Sequence, residues 1–251
     1  MIRKIVLCGV VAATLMSNSA SAVVVDLELQ LLADVSGSVD NTEYALQLGG
    51  YESAFRSSDV IDAIESGTVG SIAVQYIEWS GSTQQFVAVD WFNIFDATSS
   101  NTFADMLAGV SRSYTGNTAV GSAINFGLPL FNNGYEGTRS VMDVSGDGAT
   151  NIGDNTFDAR EAALAGGVDA INGITIGNSA SLTSWYENNV VGGPDGFVTN
   201  AVSFTDFSDA IEDKLIREIA APKPVAEPSN LAILSFGLLA LARVYRRKVV
   251  Q

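Results

Sequence analysis

Apolar and polar positions alternate along residues 24–33, which predicts a strand closing at Asp34. Residues 41–63 then take helical spacing, and Asp40 with Glu43 makes a D-x-x-E capping box at their start. Two apolar runs, 70–79 and 85–91, are separated by Ser80-Gly81-Ser82-Thr83, a short polar connection that predicts a hairpin. Helices are predicted over 103–110 and 120–130. A strand over 139–144 leads into Ser145-Gly146-Asp147-Gly148. A helix over 156–165, a strand over 168–176, a helix over 182–190, a strand over 197–204 and an amphipathic helix over 207–220 follow. Strands alternating with helices imply an α/β fold of three layers, a mostly parallel central sheet covered on both faces. The hairpin adds one antiparallel edge strand. There is no internal repeat, no P-loop and no G-x-G-x-x-G, so a nucleotide cofactor has no evident seat.

Both ends break this pattern. Met1-Ile2-Arg3-Lys4, an apolar run over 5–16 and Ser17-Asn18-Ser19-Ala20-Ser21-Ala22 make up a charged region, an apolar region and an A-x-A cleavage site. Residues 1–22 therefore read as a signal peptide, with the body of the chain at 23–220. Residues 221–229 hold three prolines and form an extended linker. Residues 230–251 combine an apolar stretch over 231–242 with Arg243, Arg246, Arg247 and Lys248. That stretch is short for a membrane span but shows no helical alternation, so a short transmembrane segment is expected, its basic end cytoplasmic. The order of linker, apolar stretch and basic end resembles the PEP-CTERM sorting signal, although Ala226-Glu227-Pro228 lacks the leading proline. The resemblance implies an exosortase substrate, transient membrane contact through the tail, and a place at the cell envelope, outer surface or extracellular matrix of a Gram-negative bacterium.

Composition narrows the chemistry. The chain has no histidine, and its one cysteine, Cys8, falls within the expected signal peptide. A Ser-His-Asp triad, a histidine or thiolate metal site and a cysteine nucleophile are excluded from the body. Any metal there must be a hard cation held by oxygen. Residues 23–220 carry 27 acidic and 6 basic side chains, a surface that repels nucleic acid and suits solubility outside the cell.

In an open α/β sheet, ligands sit at the carboxyl ends of strands. The first strand ends in Asp34-Val35-Ser36-Gly37-Ser38, a D-x-S-x-S sequence. This resembles the metal-ion-dependent adhesion site of von Willebrand A domains. Two further elements of that family occur in its order: a threonine before a helix, matched by Thr118 with Gly121 after it (Thr115 is the runner-up), and an aspartate after a later strand, matched by Asp147 before Gly148. The resemblance implies a divalent cation, Mg²⁺ first and Mn²⁺ or Ca²⁺ as alternatives, held by Asp34, Ser36, Ser38, Thr118 and Asp147, with an open position for a carboxylate from a protein partner. Mg²⁺ takes six oxygens in a near-octahedral array and keeps some waters, and with few charges bound directly it stays electron-poor. Read without the resemblance, Ser36, Ser38 and Asp34 also suit turns or caps, and Thr118 an N-cap. Asp40 reads as a cap. Asp143, within a strand that should be apolar on both faces, reads as a hydrogen-bonding residue or a partner of Arg139, with support of the metal from behind its ligands as the lesser alternative. Trp79, Trp91 and Trp185 read as packing residues. The expected function is an exported, metal-dependent adhesion module and not an enzyme. The alternatives are a structural matrix protein with a vestigial site and, as no base or nucleophile stands beside the oxygens, more distantly a metal-dependent hydrolase.

Overall fold

The computed structural model describes residues 22–221. Apart from Ala22 and Ala221, the expected signal peptide, linker and sorting tail lie outside those residues, as does the expected membrane segment. Among the described residues no helix is long and apolar enough to cross a membrane.

The chain opens with β1 (Val23–Val25) and β2 (Leu27–Asp34), then α1 (Asn41–Arg56) and α2 (Ser58–Glu65). β3 (Ile72–Trp79) and β4 (Gln85–Ile94) form the hairpin, followed by α3 (Ala97–Ala108) and α4 (Val120–Gly127). Next come β5 (Tyr135–Gly137), β6 (Ser140–Gly146), α5 (Thr156–Ala165), β7 (Ala170–Ile176) and α6 (Ala180–Asn189). β8 (Val198–Ala201) and α7 (Phe207–Ala220) close the domain. Six strands make one sheet in the order β4-β3-β2-β6-β7-β8. Its pairs are parallel except β3 with β4, so β4 is the expected antiparallel edge. β1 and β5 form a separate parallel pair.

The two faces of the sheet bury different helices. Leu27, Leu29, Leu31 and Ala33 of β2 pack with Tyr51, Phe55, Phe103, Phe207, Ile211 and Leu215, which belong to α1, α3 and α7. Leu32 of the same strand packs on the opposite face with Val120, Ile124, Ala163, Leu182 and Tyr186, from α4, α5 and α6. This is the period-two alternation of a strand covered on both sides. Trp79 is fully buried, and the Trp91 indole N–H donates to the Leu130 carbonyl at 2.9 Å.

Local chemistry moves several boundaries away from the hydrophobic pattern. The expected strand 24–33 is broken at Asp26, whose carboxylate accepts the amides of Val69 and Gly70 at 2.9 and 2.8 Å. The expected helix 41–63 is two helices. Ser57 closes the first with its amide on the Ala54 carbonyl and caps the second by accepting the Asp59 amide. α3 starts at 97 because Asp96 and Ser99 form a capping box that the polar run through Asn101 conceals. Asp143 does not pair with Arg139. Four residues along a strand separate two positions by about 13 Å, and Asp143 instead meets Lys214 of α7 at 2.6 Å.

Candidate metal centre

From β2 the chain crosses to β3 on one side, whereas β6, β7 and β8 follow in order on the other. The carboxyl ends of β2 and β6 therefore flank the point where strand order reverses, the crevice in which α/β sheets place ligands. β2 ends with Asp34, and β6 ends with Gly146, one residue before Asp147. The register Ala33 opposite Ser145 brings these two ends level. Thr118 arrives from a third direction, two residues before α4.

The five side chains expected at the site form one connected set. The Ser36 amide donates to Asp34 Oδ1 at 2.7 Å, closing a turn at the strand end. The Ser36 and Ser38 hydroxyls share a hydrogen bond at 3.1 Å, and the Thr118 hydroxyl donates to Ser36 Oγ at 3.3 Å. The Ser38 hydroxyl donates to Asp147 Oδ1 at 2.7 Å. Asp34, Ser36 and Thr118 are buried, Asp147 is partly buried and Ser38 is exposed, so the set opens to solvent on the Ser38 and Asp147 side. Thr115, the runner-up, is exposed and lies in the loop whose Gly116 carbonyl accepts the Gly37 amide at 2.7 Å. Asp40 caps α1, accepting the Thr42 and Glu43 amides at 2.7 and 2.9 Å, while Glu43 accepts the Asp40 amide.

The electrostatics are those of a site short of positive charge. Burial pushes the Asp34 carboxyl up to about 7, and the Asp147 carboxylate adds to the shift against the hydrogen bonds from Ser36. Burial also raises the Asp147 carboxyl, opposed by the bond from Ser38 and aided by Glu43. Asp34 Oδ2 is buried with no hydrogen-bond partner. A buried carboxylate oxygen without a partner is costly, and a hard cation is one group that satisfies it. The set of two carboxylates and three hydroxyls therefore fits such an ion. Among the described residues no three His, Cys, Asp or Glu side chains gather at a metal-binding distance, so hydroxyls must complete any ligand set.

Residues that hold this arrangement carried no signal of their own in the sequence. Arg112 sits over the D-x-S-x-S loop. Its Nη2 donates to the carbonyls of Val35, Ser36 and Val39 at 2.9, 2.8 and 2.6 Å, and its Nε to that of Tyr114 at 3.0 Å. Gln47 of α1 donates to the Asp34 carbonyl at 3.0 Å. Asn151 brackets Thr118, accepting its amide at 3.0 Å and donating its own amide to the Thr118 carbonyl at 2.9 Å. Buried Glu78 ties the surrounding loops, accepting from the Tyr44 hydroxyl and the Ser113 amide at 2.7 Å each.

The family model described as "Protein of unknown function (DUF1194)" matches residues 24–223. No curated protein matches the chain. Among solved structures, proximal thread matrix protein 1 from the mussel byssus, in a form with a zinc occupied MIDAS motif, aligns with a TM-score of 0.59 at 15% identity. That alignment covers 79% of this chain and 49% of the mussel chain. The pilus adhesin SpaC from Lactobacillus rhamnosus GG aligns at 0.54 and 15% identity, over 78% of this chain and 31% of the adhesin. The SpRpn10 VWA domain aligns at 0.55 and 15% identity, over 76% of this chain and 97% of that domain. The chain thus spans about half of the mussel protein it matches and nearly all of the isolated domain. These likenesses establish a von Willebrand A fold.

Proposed function

The chain belongs to the family described as Protein of unknown function (DUF1194), whose description names no activity, and from its site we propose that it is an exported protein-binding module that engages its partner through a divalent cation. Asp34, Ser36, Ser38, Thr118 and Asp147 hold the ion. Bound there, Mg²⁺ supplies an electron-poor centre with an exchangeable position, which suits a carboxylate oxygen from a partner protein. Asp34 and Asp147 offset the charge of the ion, the three hydroxyls bring no further negative charge, and Arg112 fixes the loop that carries two of them. The reading is one of binding because the two carboxylates and three hydroxyls of the connected set are all committed to the ion, which leaves none of them as base or nucleophile.

One observation carries this reading. Five oxygen-bearing side chains from three separate segments converge at the strand-order reversal, and one of them, Asp34, keeps a buried carboxylate oxygen that has no partner. The adhesin and matrix proteins among the structural neighbours are consistent with binding to other proteins. The charged and apolar pattern of residues 1–22 supports export.

Thermal melts of the protein with Mg²⁺, Mn²⁺ or Ca²⁺, each against chelator, test the proposal. A cation at a hundredfold excess over its dissociation constant stabilises the folded state by about 2.7 kcal/mol. Ser38→Ala is expected to abolish that gain while leaving metal-free stability near wild type, because Ser38 is exposed. Asp40→Ala should cost about 1 kcal/mol through the lost cap and keep the cation response. A wild-type protein whose melting point ignores all three cations would refute the metal reading.

A further inference from the structure

Beside the proposed site, Asp34 Oδ2 and the Tyr186 hydroxyl are both buried without hydrogen-bond partners. Both residues are fully buried. They come from distant parts of the chain, β2 and α6, yet they close on one place. The Tyr186 ring lies across β7 at Gly173, where a Cβ would stand 2.8 Å from ring atom Cδ1. Its hydroxyl reaches β6 above Gly146, where a Cβ would stand 2.5 Å from that hydroxyl and 2.9 Å from Asp34 Oδ2. A side chain at either glycine would exclude the ring or its hydroxyl. Trp185 packs edge-on against the ring, with centroids 5.5 Å apart, and Leu182 and Val190 bury with it.

Packing does not explain the hydroxyl. Phenylalanine would bury the same ring without placing an unpaired donor in the core. A phenol remains a donor near neutral pH, and an ionised carboxylate offers lone pairs on both oxygens. Asp34 Oδ1 already accepts the Ser36 amide, and Oδ2, with both lone pairs open, can take the Tyr186 hydroxyl on one and the cation on the other. Metal ligands are commonly oriented by a donor behind them that does not touch the ion.

We propose that Tyr186 is a positioning residue of the metal site, whose hydroxyl donates a hydrogen bond to Asp34 Oδ2 in the cation-bound protein and fixes the orientation of that carboxylate. The inference rests on the metal-site reading above. In this structure the hydroxyl and Oδ2 are both unpaired beside Gly146, and rotation of the two side chains can join them. Tyr186 then sets how tightly the ion is held, and the glycines at 146 and 173 are the space it needs.

The test is Tyr186→Phe in the full chain, read by calorimetric titration with Mg²⁺ and Mn²⁺ and by melting in chelator. The variant is expected to bind both cations about tenfold or more weakly, with metal-free melting equal to or above wild type, because the removed hydroxyl has no partner there. A structural role alone would lower the melting point and leave the dissociation constants unchanged, which overturns the inference. As a readout on the wild type, Mg²⁺ should produce a red-shifted tyrosine difference band as the phenol becomes a donor to a carboxylate, and Tyr186→Phe should lack it. No such band in a wild type that binds Mg²⁺ also overturns it. Wild type that binds no cation defeats the metal-site reading itself, whereas cation binding untouched by Tyr186→Phe defeats only the role of Tyr186.

Discussion

Arg112→Ala is expected to destabilise the metal-free protein by about 3 kcal/mol and to weaken cation binding. Nη2 has two protons and faces three carbonyls, those of Val35, Ser36 and Val39, all within 2.9 Å. Nε adds one bond to Tyr114, and the 3.3 Å contact of Nη1 with Asn41 is solvent-exposed. Three protons therefore serve backbone acceptors. A net hydrogen bond contributes about 1 kcal/mol, and one from a charged donor about 1.5–3. Arg112 is partly exposed, so screening brings each bond toward the lower figure and the sum to about 3 kcal/mol. The cation–π contact with Tyr44, at 5.6 Å from the ring centroid, adds a smaller amount. Ser36 and Ser38 ride on the loop that these bonds fix, so its release spreads two of the proposed ligands over many positions. Arg112→Lys should fall between, since a compact ammonium cannot reach all the carbonyls that a planar fork does. Urea denaturation in chelator gives the stability change from the midpoint at constant slope. Calorimetric titration gives the affinity. A loss under about 1 kcal/mol together with wild-type Mg²⁺ affinity would refute the clamp.

Three further outcomes follow from the same geometry. Asp147→Asn keeps the shape of the side chain but removes the charge that helps raise the Asp34 carboxyl, so in chelator the variant should melt no lower than wild type, while its cation response disappears. Because Asp34 titrates near 7 in the metal-free fold against 3.8 when free, the fold holds a proton that the unfolded chain has released. The associated stability is complete below about pH 4, is lost as pH rises through 7, and the Mg²⁺-dependent gain should grow over the same interval; Asp34→Asn should flatten that part of the metal-free pH profile, and an unchanged profile would refute the assignment. Lys214→Met leaves Asp143 and Glu218 buried without their shared cation and should cost about 3–5 kcal/mol by urea denaturation; a cost under about 1 kcal/mol would mean that both carboxyls are neutral in the fold.

The layer arrangement was legible because burial leaves a period in the sequence. β2 alternates Leu29, Leu31 and Ala33 toward one face with Leu32 toward the other, and α5 falls at residues 156–165 where the helical spacing puts it. The misses occur where a polar side chain overrides that period. Ser57 divides a continuous amphipathic run into two helices, and Asp26 turns the chain inside an apolar run. β5 has three residues, Tyr135, Glu136 and Gly137, too few to show any period. Asp143 looked anomalous in an apolar strand for a good physical reason, but its partner Lys214 lies 71 positions later on α7 and no local spacing points there.

The candidate site divides along the same line. The grouping of its oxygen-bearing side chains was readable because three of the five lie within one strand end and turn, where local backbone geometry fixes the spacing of Asp34, Ser36 and Ser38. The groups that orient them were not readable. Arg112 acts on backbone carbonyls, which every residue has, so nothing at Val35, Ser36 or Val39 calls for an arginine more than 70 residues away. Asn151 likewise grips the backbone of Thr118 rather than its side chain. Tyr186 is harder still, because in sequence it is one aromatic residue in an amphipathic helix, and its hydroxyl acquires meaning only when Gly146 and Gly173 let it lie across two strands toward Asp34. The proposed site is specified by side chains where it would meet an ion and by backbone where it meets its scaffold. Substitutions in the second group should therefore alter affinity with no change in the motif itself, which is the common ground of the Arg112 and Tyr186 experiments.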